Sequence, residues 1–350
     1  MVALSPPARA VPLPGLTFVL WLVLVAAALL ALTVGPSGVS LHNMLADLLA
    51  GREIALRDWV VLTGIRLPRL LAGMLVGAGL AVSGAVMQGL FRNPLADPSV
   101  VGVTMGAGLG AVAAIVLGGS LPIAVGAVLG THLVPVAAFL GGWAVVLILS
   151  ALSRRGGQVS IATMLLAGIA LTALAGALTG LLVQAADDAQ LRDITFWNLG
   201  SLSGIGWDRI ALVAPLILPV VLLAPRLGQG LNAMALGEAA ALHMGIAVDR
   251  LKRQAVLAVA LATGGAVAMA GAIGFVGIIV PHLLRLVSGP DHRPLLPRAA
   301  VLGAAVLTLA DVLARIAVLP AELPIGIVTA CLGAPVFLWV LLRRAGLGDA

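Results

Sequence analysis

Residues Leu67–Leu90, LPRLLAGMLVGAGLAVSGAVMQGL, carry a single charge, Arg69, near their start and no other before the polar turn that follows. At a helical rise of about 1.5 Å per residue, this run is long enough to cross a hydrocarbon core roughly 30 Å thick. Its apolar residues are continuous rather than alternating, so the crossing is a helix and not a barrel strand.

Outward from this run the pattern repeats. The chain has 350 residues, of which 61% are hydrophobic and only 10% charged, with a mean hydropathy of +1.16. A soluble domain carries about 25% charged residues, so lipid replaces water around most of this surface. The expected fold is all-α: a polytopic membrane protein of about ten spans in one transmembrane unit covering 1–350. The spans fall near Leu16–Val34, Leu67–Leu90, Val100–Leu117, Leu129–Leu152, Ser160–Val183, Ile210–Pro225, Ala255–Ala270, Ile273–Leu286, Ala299–Val312 and Gly326–Leu342. Residues 1–15 form a Pro-rich tail, and residues 227–253 make the longest basic-flanked interruption. The polar segments Gly35–Val61 and Ala185–Arg209 read as external loops. The first apolar run is too long for a signal-peptide core and reads as a retained span.

Nineteen of the twenty basic residues are arginine, and they cluster at span ends. Such placement anchors topology and leaves no case for nucleic acid as a partner. Thirteen of the twenty fall on one side when both termini are cytoplasmic, which sets that orientation. The single cysteine, Cys331, rules out an internal disulfide.

Leu80–Val86 (LAVSGAV) echoes Val267–Ile273 (VAMAGAI), with a proline ten residues after the central glycine in each, Pro94 and Pro281. The copies begin five crossings apart and therefore run in opposite directions, the signature of an inverted repeat. Chance similarity between Ala/Gly-rich helices is the competing explanation.

Within the interruption, Leu231–Ile246 reads LNAMALGEAAALHMGI. A short Ala-rich helix flanked by Glu238, His243 and Asp249 cannot sit in lipid. It is either a connecting loop or a surface helix that another protein grips.

Absent chemistry narrows the function. The only lysine, Lys252, follows no Gly-rich loop, so the chain has no phosphate cradle of its own. There is no HExxH, no GxSxG and no Cys/His pair at metal spacing, and an enzyme has no support. Intramembrane charges mark coupling-ion paths. Here nearly every charge can be placed at a span end; His132 and Asp311 are the main exceptions, without an obvious partner, which disfavours an ion-coupled secondary transporter and points to a separate motor.

Several collinear stretches resemble one family. They are Arg66-Leu67-Pro68-Arg69, Ser83–Gln88, Asn93–Pro98, Ala235-Leu236-Gly237-Glu238, Gly271–Gly277, Pro281–Arg285, Asp291-His292-Arg293 and Glu322–Gly326. Together they resemble the permease subunits of FecCD/BtuC-type ABC importers, which take up iron chelates, haem or vitamin B12. The resemblance implies an inner-membrane homodimer of ten-helix subunits, two cytoplasmic ATPase subunits that bind ATP and magnesium, and a periplasmic binding protein. No cofactor or metal is implied in this chain itself.

Ala235, Leu236, Gly237, Glu238, His243 and Gly245 match the coupling helices that fit a cleft in the ATPase. Arg66, Arg69 and Arg315 match external arginines that pair with glutamates of the binding protein. Asn93 and Leu95 match a turn near the cytoplasmic gate, though Asn93 before Pro94 also suits a plain Asx turn. Ser160 and Thr163, at the start of the fifth span, join the pathway set. His282 and His292 read as structural rather than as haem ligands. The stretches around Asp291-His292-Arg293 and Glu322–Gly326 look most like haem importers, which makes haem the expected cargo, with ferric siderophores and cobalamin as alternatives.

Overall fold

The computed structural model describes residues 15–35, 44, 47–155 and 158–344. The expected N-terminal tail before Gly15, His42 and residues 345–350 lie outside the described residues.

Among the described residues, eight helices are long and apolar enough to cross a membrane, and two shorter apolar helices bring the set to the expected ten. The spans are α1 (Leu16–Thr33), α2 (Leu56–Leu90), α3 (Val103–Leu117), α4 (Leu133–Leu152) and α5 (Ile161–Gln184). An external helix α6 (Asp188–Leu199) leads to span α7 (Trp207–Leu223), and two short helices follow, α8 (Gly228–Ala235) and α9 (Glu238–His243). The chain ends in α10 (Val248–Ala270), α11 (Val276–Ser288), α12 (His292–Ile316) and α13 (Ile325–Arg344). A two-residue antiparallel hairpin, Arg154–Arg155 with Gln158–Val159, joins α4 to α5.

The second span is longer than hydropathy suggests. A helix begins at Leu56, inside the expected loop, and passes through a π-helical turn at Val61–Arg66 before the apolar run. The polar first turns hide this start from a hydropathy reading, and the π-turn shifts Arg66 and Arg69 relative to a regular helix.

Helix α2 is the centre of the bundle. Of its most apolar window 83% is buried, against 17% for α5. It packs on α7, α10, α11 and α12. With no hydrophobic drive between helices in lipid, cohesion depends on close backbone approach through small residues. A Cβ added at Gly84 would overlap the Gly277 carbonyl oxygen at the start of α11, and one at Gly77 would overlap the Gly303 carbonyl of α12.

The two echoing stretches occupy different positions. Leu80–Val86 lies inside α2, whereas Val267–Ile273 covers the end of α10 and the break after it. Gly271 adopts a φ of 74° there, and a side chain would meet the Trp197 carbonyl. The second glycine thus serves a chain reversal and the first a helix crossing.

Candidate functional site

The short helices α8 and α9 form one end of the molecule. Gly237 separates them at a φ of 108°, a conformation glycine adopts without a Cβ penalty. Gly245 (φ 82°) closes α9: its N–H bonds the Leu242 carbonyl at 2.9 Å, and the Ile246 N–H reaches the Ala241 carbonyl at 3.0 Å. These are the carbonyls a helix end leaves without partners. Ala241 faces inward against Met234, Val248 and Leu251. Leu236, Leu242 and Met244 are exposed, as are Ala235 and His243. A helix thus stands at the surface here and presents three apolar side chains.

Two polar links hold this end to the bundle. In the first, Lys252 of α10 donates to Glu238 at 2.7 Å; its side chain is almost wholly buried, and Glu238 sits at the first turn of α9. A buried lysine needs such a partner.

The second link is a relay. Arg285 of α11 donates to the Gln88 side-chain oxygen of α2, and Gln88 in turn donates to the Gly277 and Ile278 carbonyls at 3.4 and 3.3 Å. Arg285 also contacts His292 Nε2 at 3.4 Å. A guanidinium can only donate, so Nε2 accepts and Nδ1 carries the proton. That proton goes to Asn232 Oδ1 at 2.9 Å, which also receives the His292 backbone N–H at 2.9 Å. Asn232, on α8, donates to Asp291 at 2.6 Å, and Asp291 caps α12 by accepting from the Arg293 N–H at 2.9 Å. Burial works against the Asp291 carboxylate, but these two donors and the nearby Arg293 guanidinium outweigh it and hold the carboxyl below its usual range.

The turn after α2 lies against the same end, with Arg92 beside Gly237. Asn93 Oδ1 accepts the Leu95 N–H at 3.0 Å, so Asn93 forms an Asx turn. Asp97 caps the next helical turn through Ser99 at 2.8 Å. Ser160 is the N-cap of α5, accepting from the Thr163 N–H at 3.3 Å and the Thr163 hydroxyl at 3.0 Å. Both pathway candidates are thus used in capping.

At the opposite end, Arg66, Arg69 and Arg315 are 4%, 8% and 5% exposed, so all three side chains are turned inward. Arg66 donates to the Leu32 carbonyl and, at 3.3 Å, to that of Thr33. Arg315 donates to the Ala31 and Val34 carbonyls at 3.1 and 3.2 Å. Together they satisfy the carbonyls at the C-terminus of α1, where cations are favoured.

Asp311 is not alone either. Arg69 binds it with two nitrogens at 2.9 and 3.0 Å, and Arg315 Nε reaches it at 3.2 Å. Arg69 also grips both Glu322 oxygens, at 2.9 and 3.0 Å. His132, the other unpaired expectation, lies 3.4 Å from Asp208. Arg315 stands one helical turn after Asp311, at a spacing the sequence displays, but Arg69–Asp311 and His132–Asp208 are far apart in sequence, and spacing could not reveal them. The relay residues Gln88, Asn232 and Arg285 escaped notice for the same reason. Their one visible trace is polarity at otherwise apolar helix ends.

A family model for the FecCD transport family matches residues 23–343. The chain belongs to the FecCD transport family. It is 46% identical over 286 residues to the hemin transport system permease protein HmuU of Yersinia pestis, covering 82% of this chain and 84% of that one. To the vitamin B12 import system permease protein BtuC of Salmonella typhi it is 46% identical over 317 residues, covering 87% of this chain and 94% of that one. Among solved structures, a metal-chelate type ABC transporter in an inward-facing conformation superposes with a TM-score of 0.82 and 32% identity, covering 94% of this chain and 99% of that one. PsaBC from Streptococcus pneumoniae, at 17% identity and a TM-score of 0.53, shares the fold alone. This family member is an all-α, multi-pass transport permease, as its sequence led us to expect.

Proposed function

We propose that this FecCD-family permease is the membrane subunit of an ATP-driven importer in the bacterial inner membrane, carrying haem or a related iron chelate inward. The observation that carries the reading is the end formed by α8 and α9. It presents exposed Leu236, Leu242 and Met244 while Lys252 and Asn232 tie it to the bundle. A partner that pushes this helix moves α10 and α12 with it.

In this reading the partner is a pair of cytoplasmic ATPases holding ATP and magnesium, so ATP hydrolysis is not a task of this chain, and both termini are cytoplasmic. A second copy of the chain covers the apolar outer face of α5, where Leu166, Ile169 and Leu181 are exposed. A periplasmic binding protein meets the opposite end, whose shape the buried arginines hold. Asn93 and Leu95, beside the coupling end, close the pathway, with Ser160 and Thr163 at its rim.

Cobalamin is the second reading, because the likeness to a B12 permease is as strong as that to a haem permease and spans more of both chains. Proteoliposomes containing this chain and its cognate ATPase decide between them. The binding protein is loaded in turn with haem, a ferric siderophore or cobalamin, and ATP-dependent accumulation of one ligand identifies the cargo. Accumulation of none, with ATP turnover indifferent to the loaded binding protein, overturns the importer reading.

A further inference from the structure

A cavity of about 280 Å³ opens at the end of the molecule away from α9. Helix α10 fixes the position: it starts near Lys252 beside the coupling end and finishes at Ala268–Gly271 in the cavity wall. The other walls come from Phe196 and Trp197 of α6, Ser201 and Ser203 of the following loop, Thr131 and Arg209.

Arg209 is partly buried and has no ion-pair or hydrogen-bond partner among the described residues. Its neighbour in sequence, Asp208, is turned to His132 instead. At Arg66, Arg69 and Arg315 a carboxylate or backbone carbonyl occupies the fork, whereas the fork of Arg209 stands beside a cavity. Beside it, Phe196 of the external helix α6 is 57% exposed. Ser201 accepts the Ser203 N–H at 3.0 Å, which leaves its hydroxyl proton to donate. The remaining charges near this wall, Arg192 and Asp193 on α6, are exposed and oppose one another in sign.

A planar guanidinium selects a carboxylate, which it binds bidentately. Flanking aromatic rings select a flat partner. We propose that this cavity is a loading subsite for the carboxylate edge of a flat, carboxylate-bearing tetrapyrrole, with Arg209 pairing the carboxylate and Phe196 and Trp197 against the ring. The subsite rests on the importer reading and deepens it. An iron porphyrin carries acidic side chains on a flat ring, whereas the amides of a corrin offer the guanidinium only neutral acceptors, which make weaker hydrogen bonds than a carboxylate. The cavity holds one edge of such a ligand, which suits a station on a path better than a final resting place.

The test compares haem with haem dimethyl ester, in which both acids are blocked. Each is presented by the binding protein, after equal loading is confirmed, to proteoliposomes holding the intact permease–ATPase complex. Wild-type uptake of haem exceeds that of the ester by about tenfold, the loss expected for one charge-assisted hydrogen bond. Arg209→Gln brings haem down to the ester's rate and leaves the ester unchanged, while Arg209→Lys restores part of the preference. If Arg209→Gln carries haem as the wild type does, or lowers both ligands equally, the subsite is overturned and the importer reading stands. If the wild type accumulates neither tetrapyrrole, the haem reading and the subsite fall together.

Discussion

Asp311 stands between Arg69 and Arg315 with all three side chains nearly out of contact with solvent. Removing one partner from a buried ion pair leaves the other charge uncompensated, at a cost of about 3–5 kcal/mol. Asp311→Asn keeps the shape and deletes the charge, so two guanidiniums then face each other. The thermal midpoint of the purified protein should fall by several degrees, and an unchanged midpoint would show that solvent or lipid already screens the cluster. Glu322 is the contrasting partner, because its side chain is 29% exposed. Glu322→Gln should cost no more than about 1 kcal/mol, within the range of solvent-accessible pairs. Asp311 was legible in the sequence as an intramembrane charge. Its partnership with Arg69 was not, because the two residues are 242 positions apart.

Helices divide into those held by backbone approach and those presented to partners. Gly84 belongs to the first kind. Any Cβ there meets the Gly277 carbonyl, and backbone on both sides cannot yield as a side chain could. Gly84→Ala should therefore displace α11 from α2 and lower the yield of folded protein sharply. Gly108→Ala, whose Cβ meets only the edge of Trp197 at 3.8 Å, serves as the control and should behave as wild type. Size-exclusion profiles in detergent read both variants.

Helix α9 belongs to the second kind. Leu242→Asp combined with Met244→Asp replaces its apolar grip with charge while Ala241 stays buried. The permease should still fold, and the cognate ATPase should no longer co-purify with it. Retention of the ATPase would place its contact elsewhere. Spans such as α5 and α7 were readable to within a few residues because apolar runs end at charges. The helical start at Leu56 was not, since Arg57 and Asp58 on its first turn look like a loop. The surface helix α9 was legible from Gly237 and Glu238, but its exposed Leu242 looked like any other span residue.

Across the whole molecule, the two ends must exchange information through a bundle that contains few polar groups. A conformational change propagates through elements with discrete arrangements, not through soft deformation. The relay from Asn232 through His292 and Arg285 to Gln88 joins α8, α12, α11 and α2, and α2 is the helix every other central span packs against. Lys252–Glu238 joins the same end to α10. Movement of α9 thus reaches the core by two routes, and cutting one should weaken transmission without detaching the motor. Asn232→Leu cuts the relay at its only contact with α8 among the described bonds, while the exposed face of α9 is untouched. The expected variant folds, retains its ATPase and hydrolyses ATP, yet moves far less ligand per ATP. A loss of about 1.4 kcal/mol in coupling would appear as a tenfold fall in that ratio. The ratio of ligand accumulated to phosphate released in proteoliposomes measures it directly. Because Asn232 also helps cap α12 through Asp291, a thermal midpoint is taken alongside. A reduced ratio at an unshifted midpoint identifies transmission, whereas a wild-type ratio would mean that Lys252–Glu238 alone carries the movement.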